Sequence, residues 1–396
     1  MKRGLPLVIL AIALSACGSK TIIFKPPARG VQGTTHQATQ AIGFPAIATK
    51  NTTRVDGADP IANAAGVALA EYPSAASGTH PEVVVLAPTD DWQAAIASSV
   101  FAAPPVRAPI LLSDSGSLPA ATSDALGQLD PSGSGAAGGA QVIAVGDVPK
   151  LRKTRVTRIS AGDPYSLAAA IDRFATAATG KPTPDVVIAS GDNPAYAMPA
   201  AGWAAESGDP VLFVNSSGVP KATQQALKAH QRPRIYVLGP TSVIPDSVVK
   251  QLAKLGTVKR ISDKDPASNS VAFAVYRDPA CPKNQPCAHV PGSFGWALRS
   301  PGHGYVLLNQ NQPLDAAASA PLSASGSFGA QLILDTASTL PSSILNFFLN
   351  YATPGFTQEG PTAAVYNHAW IIGNVQAISV SVQAQVDALL EAVPQK

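Results

Sequence analysis

Short apolar runs recur along this chain in a fixed order, separated by stretches rich in Ala, Gly and Pro. The first run of each set is "EVVVLA" from residue 82, "DVVIAS" from 185 and "GYVLLN" from 304. A second follows an Ala-rich stretch and a break: "APILLSD" from 108, "DPVLFVN" from 209 and "AQLILD" from 330. A third ends on glycine: "QVIAVG" at Gly146, "RIYVLG" at Gly239 and "AWIIG" at Gly373. Continuous apolar runs of this length, bounded by turn residues, predict strands buried on both faces, as in parallel sheets.

The intervening polar and small-residue stretches predict helices. "LPAATSDAL", "VPKATQQAL" and "LPSSILNFF" place Pro at a helix start with Ser or Thr nearby. The second and third sets add a last helix, "VIPDSVVKQLAKL" and "ISVSVQAQVDALL", which the first lacks. Each set is preceded by one phrase: "RVDGADP" from Arg54, "RISAGDP" from Arg158 and "RISDKDP" from Arg260, spaced 104 and 102 residues apart. Such a period marks an internal repeat of domain size. The expected fold class is therefore α/β, three tandem Rossmann-like, doubly wound parallel-sheet repeats with right-handed crossovers. The phrases set the expected boundaries at 46–157, 158–259 and 260–396, the last with an insertion that carries both downstream cysteines.

The first residues break this pattern. "MKRGLPLVILAIALSAC" has two basic residues and an apolar run from Leu5 to Ala16. As a helix that run is about 18 Å long against roughly 30 Å of bilayer hydrocarbon, so residues 1–16 read as a signal peptide. Leu14-Ser15-Ala16-Cys17 resembles the bacterial lipoprotein signal, which implies that Cys17 is lipidated and becomes the first mature residue. An ordinary signal peptide with a chance cysteine is the alternative. Two or more acyl chains, at about 0.8 kcal/mol per buried CH₂, would hold the protein on a membrane. Residues 17–45 lack apolar periodicity and read as a tether.

Lipidation of Cys17 leaves Cys281 and Cys287 as an even pair of the three cysteines. Outside the cytoplasm such a pair reads as a disulfide closing a small loop, with two free thiols as the alternative. The composition, 46% hydrophobic and 13% charged, suits a globular exported chain, and a net charge of +3 is too small for a nucleic-acid partner. No G-x-S-x-G, H-E-x-x-H or P-loop occurs, the six histidines are scattered singly, and neither a cofactor nor a metal is expected.

Three groups of residues are candidates for a site. Asp90, Asp192 and Asn311 follow the first strands, and Asp114, Asn215 and Asp335 the second, where open α/β sheets form their ligand crevice. They would form a polar rim or cap the next helices. Arg54, Arg158 and Arg260, each five residues before an Asp, would pair locally, pair across repeat interfaces, or grip an anionic polymer. The cluster Lys150, Arg152, Lys153, Arg155 and the run "KAHQRPR" from 228 are the further basic candidates, with a solvated face as the plain alternative.

The order "VVIASGDN", "DPVLFVN", "VPKATQQAL", "RIYVLGPTSVIPDSVVKQL", "RIS" resembles the bacterial cell wall-binding repeat type 2, over about residues 46–392. The resemblance implies three Rossmann-like units in a pseudo-threefold disc and non-covalent binding to anionic cell-wall polymer, without catalysis. This chain departs from the family's Asp-Arg-Tyr at Pro60, Pro164 and Pro266, and keeps the acid of Asp-Ala-Leu only at Asp315, with Gln93 and Tyr196 elsewhere. The expected protein is thus a lipid-anchored lipoprotein on the extracytoplasmic face of the cell envelope that binds wall polymer through three repeats. An extracytoplasmic solute-binding lipoprotein is the alternative; three similar units argue against its two-lobed form.

Overall fold

The computed structural model describes residues 45–76, 78–279, 281, 287, 293–324, 328–352 and 366–391. The expected signal peptide, Cys17 and all but the end of the expected tether lie outside these residues. In chain order the strands are β1 (Pro45–Ala48), β2 (Thr52–Val55), β3 (Val84–Pro88), β4 (Ile110–Ser113), β5 (Val142–Val145), β6 (Val156–Ile159) and β7 (Asp185–Ser190). They continue as β8 (Val211–Val214), β9 (Arg234–Leu238), β10 (Thr257–Ile261), β11 (Gly304–Asn309), β12 (Phe328–Leu334) and β13 (His368–Ile372). Helices α1 (Pro60–Glu71), α4 (Pro164–Thr179) and α9 (Pro266–Val275) follow the Arg phrases. Helices α2 (Trp92–Ser98), α3 (Ala120–Leu129), α5 (Pro194–Ala197), α6 (Pro199–Ser207), α7 (Lys221–Ala229), α8 (Asp246–Leu252), α10 (Leu314–Ser323), α11 (Ser342–Phe347) and α12 (Val380–Glu391) complete the units.

The strands form three sheets, in the orders β4-β3-β5-β6, β8-β7-β9-β10 and β12-β11-β13-β2. Within these orders all pairs are parallel, and β1 adds an antiparallel edge to β2. Each sheet thus has the doubly wound order second, first, third, fourth. The fourth strand carries the Arg phrase, so a cut at 158 or 260 falls inside a strand of the preceding sheet. In the third sheet that strand comes from the other end of the chain: Ile371 and Ile372 of β13 register with Arg54 and Val55 of β2. Thr49 and the Asn51 backbone also donate to Asp387 of α12, so the chain closes into a ring of three units.

The ring has a common centre. Helices α2, α6 and α10, each following the first strand of its unit, contact one another and are built from "WQAAIAS", "PAAGWAAES" and "LDAAASAPLS". Small side chains allow three helices to meet with no room for larger ones. At Gly202 the fit excludes even a methyl, since a Cβ there would lie 2.8 Å from Ser323 Oγ and 3.1 Å from Gln331 Cγ. Gln331 in turn accepts from the Gly202 N–H and donates to the Ala316 carbonyl. One apolar core runs through all three units, from Val55 to Leu390.

Cys281 and Cys287 are joined by a disulfide. The described part of the insertion packs on the second sheet. Phe294 stacks on Tyr236 at 3.6 Å, and Asp278 accepts from the Tyr236 hydroxyl, the Lys259 ammonium and the Tyr276 hydroxyl.

Candidate functional site

The three phrase arginines do one structural job in three settings. After its third strand each unit turns through a glycine with positive φ: Gly146 (67°), Gly239 (119°) and Gly373 (100°). Only glycine takes that conformation without steric cost, and the turn leaves its carbonyls pointing at the neighbouring fourth strand. Arg54 donates to the carbonyls of Gly373 (2.7 Å) and Asn374 (3.1 Å) and to Gln383 Oε1 (2.9 Å). Arg260 donates to the carbonyls of Gly239 (2.7 Å) and Ile244 (2.8 Å) and to Asp246. Arg158 reaches the carbonyls of Gly146, Val148 and Pro149 at 3.0 to 3.4 Å.

Each arginine thus bonds across an expected repeat boundary, Arg54 to the third unit, Arg158 to the first and Arg260 to the second. They do not pair with the acids five residues on, because Asp59, Asp163 and Asp265 cap α1, α4 and α9 by accepting from the Ala62, Ser166 and Ser268 N–H groups. Nor is Arg54 presented to a polymer. It is fully buried, and burial without a hydrogen-bonded carboxylate pulls its guanidinium down to about 10. The three prolines follow these caps at the first helical turn, where the missing N–H costs nothing.

The hydrogen bonds of the strand-end residues tie loops within each unit. The cap of α2 is Asp91, not Asp90, which is exposed. Asp114 accepts from Thr89, and Asp192 from the Ser216 N–H, each tying the first-strand loop to the second-strand loop. Asn215 closes its own turn by accepting from the Ser217 and Gly218 N–H groups, and the Asp335 carbonyl accepts from Gln310. Asn311 lines a cavity.

That cavity, of about 340 Å³, opens at the carboxyl ends of β11 and β13, the point where the strand order reverses in the third sheet. Ala58, Ala337, Ala377 and five amides, Asn309, Asn311, Gln312, Asn374 and Gln376, line it. The lining carries no ionisable side chain.

Lys150, Arg152, Lys153 and Arg155 are all exposed on the loop between β5 and β6, where the first unit lacks its last helix. Arg155 also binds the carbonyls of Gly139 and Ser132, holding the Gly-rich turn over 133–139. The second basic run is split: Lys228 and Arg232 are exposed, Arg234 is bidentate to Asp185, and buried His230 bonds Asp172. Among the described residues no group of three or more His, Cys, Asp or Glu could hold a metal, and no helix is long and apolar enough to cross a membrane.

Gln93, Tyr196 and Asp315 each make a contact between units. At equivalent places Gln93 donates to the Gly191 carbonyl, Tyr196 to the Lys264 carbonyl, and Asp315 accepts from Asn63 at 2.9 Å, each bond crossing to the next unit around the ring. Asn63 and Asn269 play matching roles, accepting from the Gly57 and Asp263 N–H groups. Asn63 finds an acid across the interface; the Asn269 Nδ2, facing the unit with Tyr196, has no partner among the described residues.

Residues 158–249 match the family described as Cell wall binding domain 2 (CWB2). Among solved structures, Cwp8 from Clostridium difficile has a TM-score of 0.64 at 17% identity, over 86% of this chain and 52% of that one. Cwp6 from Clostridium difficile has a TM-score of 0.66 at 16% identity, over 87% of this chain and 49% of that one. The chain thus spans about half the length of these structures, and at such identity the likeness is one of fold. No curated protein matches the chain. The matched stretch begins on the Arg158 strand and ends in α8, so the family match lies on the middle unit, whose strand order recurs in the other two.

Proposed function

We propose that the protein binds an anionic cell-wall polymer non-covalently and holds itself in the cell envelope, with no catalytic role. The family match over 158–249 carries this reading. The exposed Lys150, Arg152 and Lys153 supply the charge. Phosphate or carboxylate groups along a polymer would meet forks and point charges there at solvent exposure, so affinity falls with salt. Cys17 adds a lipid anchor in this reading, which makes the protein a membrane-tethered lipoprotein with its three units outside the cytoplasm.

The test is co-sedimentation of the whole chain, in mild detergent, with purified cell walls across a salt series, before and after the anionic polymers are stripped. Binding that weakens with salt and disappears with the polymers supports the proposal. Equal pelleting on stripped walls, or none on intact walls, overturns it.

A further inference from the structure

We infer that the amide-lined cavity of the third unit is a binding site for a neutral, hydroxyl-bearing sugar ring, separate from the basic loop of the first unit. Its position is the first argument. In a doubly wound sheet, loops diverge where the strand order reverses, and the crevice between them at the carboxyl ends is where ligands bind. The third sheet reverses between β11 and β13, and the cavity's polar lining comes from the loops after those two strands.

The lining gives the ligand class. Side-chain amides donate and accept at once, as vicinal hydroxyls do, so five of them around one space match a polyol ring. No cationic side chain lines this cavity, so it lacks the charge-assisted bonds by which side chains favour a phosphate or carboxylate over a neutral ring. The amides divide by role. Asn309 is spent on the fold, donating to the Ala377 carbonyl and accepting from the Asn311 N–H. The Asn374 oxygen accepts from the Gln376 and Ala377 N–H groups, which fixes the loop after β13. Asn311 and Gln376 are exposed, and the Gln312 Oε1 is buried with no hydrogen-bond partner among the described residues. A buried acceptor left unpaired is costly, and a turn of the Gln312 side chain toward a ligand hydroxyl would satisfy it. The volume, about 340 Å³, lies in the range that small-molecule sites occupy.

The second unit shows what the site requires. There Ser190 replaces Asn309, accepting from the Asp192 N–H as Asn309 accepts from that of Asn311, and Pro240 replaces Asn374 after the glycine. An acid and a proline stand where the third unit has amides, and the first unit has Pro88, Asp90 and Asp147 at these positions, so the amide set belongs to the third unit.

The test uses the whole chain in mild detergent and saturation-transfer NMR with N-acetylglucosamine, glucose and, as an anionic control, glucuronic acid. Transfer to a neutral sugar is expected, with weaker transfer to glucuronic acid. Replacing the exposed pair, Asn311→Ala with Gln376→Ala, should weaken binding at least tenfold while the thermal melt stays unchanged; Lys150→Glu with Lys153→Glu should leave it alone. No transfer to either neutral sugar, or transfer undiminished in the amide variant, overturns the inference. Adding the bound sugar to the wall co-sedimentation assay separates its sources: competition places the sugar in the wall polymer, and undisturbed pelleting makes it a free sugar. Sugar binding without wall pelleting refutes the wall reading alone, and wall pelleting without sugar binding refutes this inference alone.

Discussion

Replacing the three phrase arginines with leucine, one at a time, is predicted to destabilise the protein in the order Arg54, Arg260, Arg158. The contacts are alike in kind, each guanidinium holding carbonyls of the glycine turn next door, and the settings differ. Arg54 is 0% exposed, so Arg54→Leu leaves two main-chain carbonyls and the Gln383 oxygen short of a donor where water does not reach. At about 1–3 kcal/mol for each abandoned buried acceptor, partly offset by relief of the buried charge, the net loss is roughly 3 kcal/mol. The Arg260 side chain is 18% exposed, and its Asp246 partner is in solvent, so water recovers part of the loss and the cost is about 2 kcal/mol. Arg158 lies on the surface with contacts of 3.0 to 3.4 Å, and its removal costs below about 1 kcal/mol. Urea denaturation followed by tryptophan fluorescence reads all three variants on one scale. Equal losses at the three sites, or the largest loss at Arg158, would refute the argument that solvent access to the turn carbonyls sets the cost.

Other outcomes follow from single contacts. Asp315 is fully buried, and desolvation pushes its carboxyl up to about 7, against 3.8 unfolded; the native state therefore holds the proton more tightly, and stability is full below about pH 4 and is lost as pH rises through 7, by at most roughly 4 kcal/mol. Melts of Asp315→Asn, which keeps an acceptor for Asn63, should show a flatter decline between pH 5 and 8 than the parent, and an unchanged slope would count against this titration. Asp163→Ala removes the cap of α4 and should cost about 1 kcal/mol in the same urea assay, with a neutral result refuting the cap. Thiol titration of the denatured whole chain should find no thiol before reduction and two after; one thiol before reduction would show Cys17 unmodified. Charge reversal of Lys150, Arg152 and Lys153 together should weaken wall pelleting at least tenfold at low salt, and an unchanged salt curve would remove the basic loop from the site.

The apolar runs made three strands of every sheet legible, because strands buried on both faces must be written in continuous hydrophobic residues. The fourth strands were not. "VTRI" and "TVKRI" are half-exposed edge strands whose charged residues break the run, and only the closing Ile hinted at them. The arginines stood out by repetition, but their acceptors are main-chain carbonyls, which carry no mark in a sequence. Asp90 and Asp91 are equally good caps on paper, and helix geometry chose the second. The amide cavity was half visible in Asn311. Asn374 and Gln376 lie more than sixty residues further on and reach it only through the parallel register of β11 with β13.

The ring closure also sets an order of events for synthesis. The strand that completes the third sheet is made more than three hundred residues before β13, its partner. The first two sheets can be finished in turn as their fourth strands arrive, but β2 must wait with one edge open, paired only to β1, while the residues up to β13 are made. Until then the edge of β2 and the open edge of β13 are two halves of one seam, and copies of the chain held close together can exchange them.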